Sequence, residues 1–305
     1  MPDTIQLPST PDPTYLDIAR NCSCLVNVAS QMAQDWVTDG LPKPEDFKWT
    51  PKDLCPYTSD LFGQFDFRNV ELIWSDFYYQ DGLKTLGPVL EPFGFVVLLH
   101  DKAFLIFRGT RGDVRPDVQA DKDIQKTPYA SGGNVSRGFW RVFDGLQGSL
   151  RGQLKKVKDS GHDLVISGHS LGSTLATFAV PLAADPANGF GLPVTAYPQA
   201  SPKVGGPDFV KYYNGLGVNT YRLVNTEDSV PKLPVGGYAH VGIAVEFTAP
   251  YFKVDESGKT TNDEGKIHNP CCSYAYALKQ VGTEPYIPVN PSNTDGTCKF
   301  PVPSR

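Results

Sequence analysis

The chain has 305 residues, 40% of them hydrophobic, and a formal net charge of −5. That is enough apolar material for a full core, and the charge excludes a general basic field toward nucleic acid or an anionic membrane. No apolar run reaches the roughly 18 residues of a membrane-crossing helix, and 29 Gly with 27 Pro fit a loop-rich fold better than a helical bundle.

The first stretch, "MPDTIQLPSTPDPTY", is polar and proline-rich, with neither a basic start nor an apolar core, so no signal peptide is visible. The sequence therefore reads as a mature secreted chain behind a start methionine or, alternatively, as a cytoplasmic protein. In residues 14–36, Leu16, Ala19, Cys22, Val26, Ala29 and Met32 recur at three- and four-residue steps, the period of a helix. Two short apolar runs, "FGFVVLLH" and "KAFLIFRGT", flank His100-Asp101 and read as a buried hairpin or a pair of core strands. Residues 138–158 place Phe139, Val142, Phe143, Leu146, Leu150, Leu154 and Val157 on one face of a long amphipathic helix.

A strand "DLVISG" follows, then a helix after Ser170. Beyond it come a strand in "LPVTAYPQA", a short helix "DFVKYYNGL", a strand "NTYRLVN" and a last strand or hairpin in "AHVGIAVEFTA". Strands alternating with helices from about 94 to 225 predict a mainly parallel sheet covered on both faces. No internal repeat or linker interrupts it. Residues 1–305 read as one α/β domain, with a polar segment at 1–13 and a proline-rich tail at 281–305.

Six cysteines (Cys22, Cys24, Cys55, Cys271, Cys272, Cys298) lie toward the two ends and form no Cys-x-x-Cys. No zinc spacing appears. They suit either disulfides tying the termini to the body or buried thiols, and the pairing cannot be read. Two Asn-x-Ser sequons start at Asn21 and Asn134.

Gly168-His169-Ser170-Leu171-Gly172 stands between a predicted strand and a helix opening with small residues. A serine on such a turn projects from the sheet edge. The flanking glycines let strand and helix approach, and the helix N-terminus favours developing negative charge. Ser170 is the candidate nucleophile. His169, its neighbour, cannot fold back for in-line proton transfer and is given a structural role. A serine hydroxyl needs a histidine base oriented by a carboxylate. Asp228 leaves the strand 220–225 at its C-terminal end, where catalytic groups of open α/β sheets collect, and is the candidate acid. Only His240 and His268 follow Ser170.

"LIFRGT" (105–110), "VSRGF" (135–139), "VISGHSLGSTLA" (165–176), "ASPKVGG" (200–206) and "VNTEDSVPKLP" (224–234) together resemble the motifs of the class 3 lipases, the filamentous-fungal triacylglycerol lipase family, in order. The resemblance covers most of residues 14–275. It implies an α/β-hydrolase fold and ester hydrolysis by Ser170, with Asp228 as acid and His268, in the place of the family's late histidine, as base rather than His240. It also implies an oxyanion hole formed by the N–H groups of Thr110 and Leu171. No metal or organic cofactor is implied. The expected partner is an ester or lipid substrate met by a monomer, with at most a transient lipid interface. The chain departs from the family at Ser136, where histidine is usual, and in the charged "RGDVRPDVQADKDIQK" after Thr110. Pro116 and few bulky apolar residues there predict weak interfacial activation. Phospholipase, feruloyl-type esterase, acyltransferase and a silent binding module are the rival readings.

Overall fold

A computed structural model describes residues 13–75, 80–81, 84–85, 90–110, 121, 123–254 and 259–280. Its centre is a seven-stranded sheet. In chain order the strands are β1 (Asp66–Ser75), β2 (Glu91–Leu99), β3 (Lys102–Phe107), β4 (Asp163–His169), β5 (Val194–Gln199), β6 (Asn219–Asn225) and β7 (Ile243–Phe247), and they lie side by side in that order. β1, β2 and β3 pair antiparallel; from β3 to β7 every pairing is parallel. The two apolar runs around His100-Asp101 are thus a hairpin. Its two-residue turn starts with His100 at φ 56°, the sign that a tight hairpin turn requires.

Four longer helices cover the sheet: α1 (Pro13–Thr38), α2 (Arg137–Ser160), α3 (Leu171–Ala184) and α4 (Pro207–Gly215). The period of two along β3 divides its side chains between two cores. Ala103, Leu105 and Phe107 face the cluster filled by α2 and α3, while Phe104 and Ile106 face the cluster filled by α1. α2 buries the stripe Phe139, Val142, Phe143, Leu146, Leu150, Leu154 and Val157. It stops at Gly161, whose φ of 72° closes the last turn with a bond to the Lys158 carbonyl. α3, by contrast, is buried on all sides up to Ala183. It sits deep between sheet and α2, and so fixes the position of whatever precedes it.

The predicted helix at 14–36 and the strands predicted in "DLVISG" and "NTYRLVN" fall within a residue or two of the observed elements, while the last strand occupies only Ile243–Phe247 of the stretch 239–249. β1 had no counterpart in the sequence reading. Its mostly half-exposed residues, with Arg68 and Asn69 exposed, are those of a sheet edge rather than of a core strand. The cysteines divide between the two expectations. Cys55 and Cys271 form a disulfide across 216 positions, whereas Cys22 and Cys24 are buried free thiols on α1. The terminal segments read as polar and proline-rich lie almost wholly outside the described residues. So does most of the charged stretch after Thr110.

Candidate active site

Ser170 stands at the tip between β4 and α3 with φ 55° and ψ −123°. A non-glycine residue holds such a conformation only where its surroundings enforce it. Here they do so through the two glycines. A Cβ on Gly168 would lie 2.3 Å from the Gly172 carbonyl oxygen, and one on Gly172 would lie 2.3 Å from the Arg108 carbonyl oxygen. The β4–α3 turn therefore closes onto itself and onto the end of β3 with no room for side chains. The Ser170 N–H bonds the Gln199 carbonyl, and the Ser173 hydroxyl donates back to the Ser170 carbonyl at 2.5 Å.

Asp228 is reached from the C-terminal end of β6 and is fully buried. Asn225, the last residue of β6, fixes the bend beyond it. Its side chain accepts from the N–H groups of Glu227 and Ala249 and donates to the Ala249 carbonyl and the Ser273 hydroxyl. His268 arrives from the opposite direction, on the segment that joins a short helix (Glu264–Ile267) to a π-helical turn (Pro270–Ala275). Asn269 caps that turn by accepting from the N–H groups of Cys271 and Cys272. The Cys55–Cys271 disulfide ties the same turn to the segment before β1.

These elements bring three predicted residues together. His268 Nε2 is 2.9 Å from Ser170 Oγ, and His268 Nδ1 is 2.7 Å from Asp228 Oδ2. His240 is elsewhere: its Nε2 lies 2.8 Å from the Pro231 carbonyl oxygen. Burial, with Arg222 nearby, holds its pKa down at about 4. His169 is buried against the His268 ring at a centroid distance of 4.7 Å, and burial keeps its pKa well below the ordinary value. It is a neutral wall of the site.

Leu171 opens α3, so its N–H belongs to the first turn, where helical donors have no partner within the helix. Gly109 lies against the elbow; a Cβ on it would be 3.7 Å from Ser170 Cβ. Thr110 comes next, its hydroxyl bonded to the Asp121 carboxylate at 2.9 Å. Behind both, Arg108 is buried. It donates to Glu91 at 2.5 Å and to the Gly109 carbonyl at 2.8 Å, and its guanidinium stacks on Phe93 at 3.8 Å. This buried pair clamps the backbone that leads to Thr110.

Two contributors were not singled out from the sequence. Tyr274 donates to Asp228 Oδ2 at 2.7 Å, and Arg108 forms the clamp just described. Tyr274 is fully buried, and burial beside the Asp228 carboxylate raises its pKa well above the ordinary phenol value. Its only trace in the sequence is membership of an aromatic stretch after His268. Among the described residues no group of three or more His, Cys, Asp or Glu side chains could hold a metal ion, and no helix is long and apolar enough to cross a membrane.

Residues 104–237 match the family model described as Lipase (class 3). Over that region the chain is similar to the class 3 lipases. The chain is 33% identical over 165 residues to the secreted mono- and diacylglycerol lipase A of Penicillium cyclopium, which is 52% of each chain. It is 31% identical over 219 residues to phospholipase A1-II 5 of Oryza sativa subsp. indica, covering 57% of this chain and 47% of the relative. It thus spans about half the length of the curated relatives it matches. The solved triacylglyceride lipase of Rhizomucor miehei superposes with a TM-score of 0.58 at 21% identity, covering 83% of this chain and 85% of that one. Lipase II from Rhizopus niveus does so with a TM-score of 0.53 at 20% identity, covering 79% and 83%. The fold is that of an α/β-hydrolase. The family match ends before His268, so the position of that histidine rests on the geometry alone.

Proposed function

We propose that this chain is a serine carboxylic-ester hydrolase, cleaving acylglycerols or related esters through an acyl-enzyme on Ser170. The observation that carries the proposal is the hydrogen-bonded line from Ser170 through His268 to Asp228, at 2.9 and 2.7 Å, set against the N-terminus of α3. With Asp228 ionised, His268 holds its proton on Nδ1 and presents a basic Nε2 to the serine hydroxyl.

His268 takes the Ser170 proton as Oγ attacks the ester carbonyl carbon. The carbonyl electrons move to oxygen, and the N–H groups of Leu171 and Thr110 stabilise the resulting oxyanion, each donor being worth about 2.7–4 kcal/mol in such sites. As the tetrahedral intermediate collapses, His268 returns the proton to the leaving alcohol. Water, deprotonated by His268, then attacks the acyl-enzyme and releases the acid. Every proton in the cycle passes through His268, and Asp228 compensates its transient charge.

A phospholipid ester is the second substrate reading, favoured by relatives named phospholipase A1 in rice and Arabidopsis thaliana. We further propose that residues 1–305 act as one α/β-hydrolase domain and as a monomer. A location outside the cell is supported by the secreted Penicillium relatives. A fluorophosphonate probe tests the central proposal. It should label the folded protein at Ser170, and Ser170→Ala should abolish labelling. Folded wild-type protein that takes no label would overturn it. A panel of acetate to oleate esters with phosphatidylcholine then separates the substrate readings.

A further inference from the structure

Two buried polar side chains beside the elbow take no part in the proton transfers. His169 ends β4, Gln199 ends β5, and the two are Cα partners in the parallel ladder. Val165 and Tyr197 on the same strands face the core filled by α1, so the period of two sends His169 and Gln199 to that face as well. There His169 is 5% exposed and Gln199 is fully buried. His169 Nε2 and both amide atoms of Gln199 are buried without a hydrogen-bond partner among the described residues. Three such atoms on neighbouring strands mark a join, because a buried polar atom left unpaired is destabilising.

The other edge of the His169 ring is occupied. A Cβ on Gly109 would lie 3.5 Å from His169 Nδ1. The ring centroid stands 4.7 Å from that of His268 and 5.3 Å from that of Tyr274, and the ring hydrogen-bonds the main chain of His268. With Nε2 unpartnered, that bond leaves from Nδ1, and its acceptor is the His268 carbonyl. Burial keeps His169 neutral. A neutral imidazole has one N–H, so donation from Nδ1 leaves a bare lone pair on Nε2, and what Nε2 accepts sets the tautomer. The Gln199 carboxamide is the polar group at hand. One water donating to Nε2 and bonded to that amide satisfies both.

We propose that His169 and Gln199 are positioning residues for the base: His169 Nδ1–H holds the main chain of His268, and Gln199, through one buried water, keeps the His169 ring in the tautomer that donates. Asp228 orients the imidazole of His268. The second line fixes the backbone from which that imidazole hangs. A misplacement of about 1 Å can cost on the order of 100-fold in rate, so the backbone of a base gains from a tether of its own. The inference rests on the ester-hydrolase reading for its kinetic readout.

Full-chain His169→Phe, His169→Asn and Gln199→Leu, assayed on a soluble short-chain ester and unfolded in urea, test it. Phenylalanine keeps a ring against His268 but lacks the N–H, so kcat should fall about ten-fold with KM unchanged. Asparagine loses the ring but sets its Nδ2 where Nδ1 stood, so kcat should stay within about three-fold of wild type. Stability should rank the other way, because a phenyl ring fills the site and leaves no nitrogen unpaired. A merely structural His169 would make phenylalanine the better variant in both assays, and that result overturns the proposal. Nitrogen-15 NMR of the histidine rings reads the tautomer without turnover. His169 should carry its proton on Nδ1 in the wild type and divide it between both nitrogens in Gln199→Leu. A ring protonated on Nε2, or a tautomer unmoved by Gln199→Leu, would also overturn it. If His169→Phe does not fold, Gln199→Leu and the tautomer still decide. If wild type hydrolyses no soluble ester, the hydrolase reading fails, while the tautomer still tests the tether at His169.

Discussion

The Tyr274 hydroxyl donates to the same Asp228 oxygen that faces His268, at the same 2.7 Å. The carboxylate thus divides its charge between a neutral phenol and an imidazole. Tyr274 is a positioning residue for the proposed acid, and its removal has a definite sign. Without the phenol, Asp228 directs more negative charge at His268 and stabilises the imidazolium. In Tyr274→Phe the acid limb of the kcat/KM profile should move to higher pH. A hydrogen bond to a charged group is worth about 1.5–3 kcal/mol, so about a ten-fold loss at neutral pH is expected. A purely structural role for Tyr274 would lower stability and leave the limb in place.

Ser170 carries backbone strain at the position proposed for the nucleophile. Its φ of 55° combined with ψ of −123° is natural only to glycine, and such conformations cost about 1–3 kcal/mol. Ser170→Gly should therefore raise the unfolding free energy by about 1 kcal/mol, after allowing for the added freedom of the unfolded chain. It should also abolish ester turnover. Thermal unfolding in parallel with an activity assay checks the pairing of gain and loss.

Gly172→Ala should do the opposite. The added methyl would sit 2.3 Å from the Arg108 carbonyl oxygen, which is backbone and cannot rotate away. Overpacking of about 3 kcal/mol is expected, read as a fall in the urea midpoint.

His240 gives a pH signature separate from catalysis. Its folded pKa of about 4 lies below the 6.5 of an exposed histidine. The unfolded chain therefore binds a proton that the folded chain refuses. Stability falls as pH drops below 6.5 and levels off near 4. His240→Gln should flatten that slope and leave kcat at pH 7 nearly unchanged. His268→Ala should remove turnover and retain a cooperative unfolding transition.

The Cys55–Cys271 disulfide is expected to matter to rate as well as stability. Cys55→Ser should cost about 2–4 kcal/mol by freeing the chain between the two positions. Because Cys271 lies three residues after His268, kcat should fall more than KM rises.

Ser170 and its surroundings were legible because the elbow is local. One strand, two glycines and a small-residue helix determine the turn within ten positions. The parallel strands were legible because burial on both faces turns them into continuous apolar runs. What the sequence concealed depends on contacts distant along the chain. β1 is an edge with mixed burial, so its period is weak. Cys55 finds Cys271 only once the ends meet, and Tyr274 is one aromatic among neighbours until the fold aims its hydroxyl at Asp228. His268 over His240 was a choice between two candidates that spacing alone left open; the 2.9 and 2.7 Å contacts to Ser170 and Asp228 support proposing His268.

The segment bearing His268 is fastened by Cys271 to a residue that emerges before the sheet begins. A nascent chain therefore displays its serine and its carboxylate before it acquires the proposed base. Once the chain is finished, the disulfide holds the turn after the proposed base to the segment before the sheet.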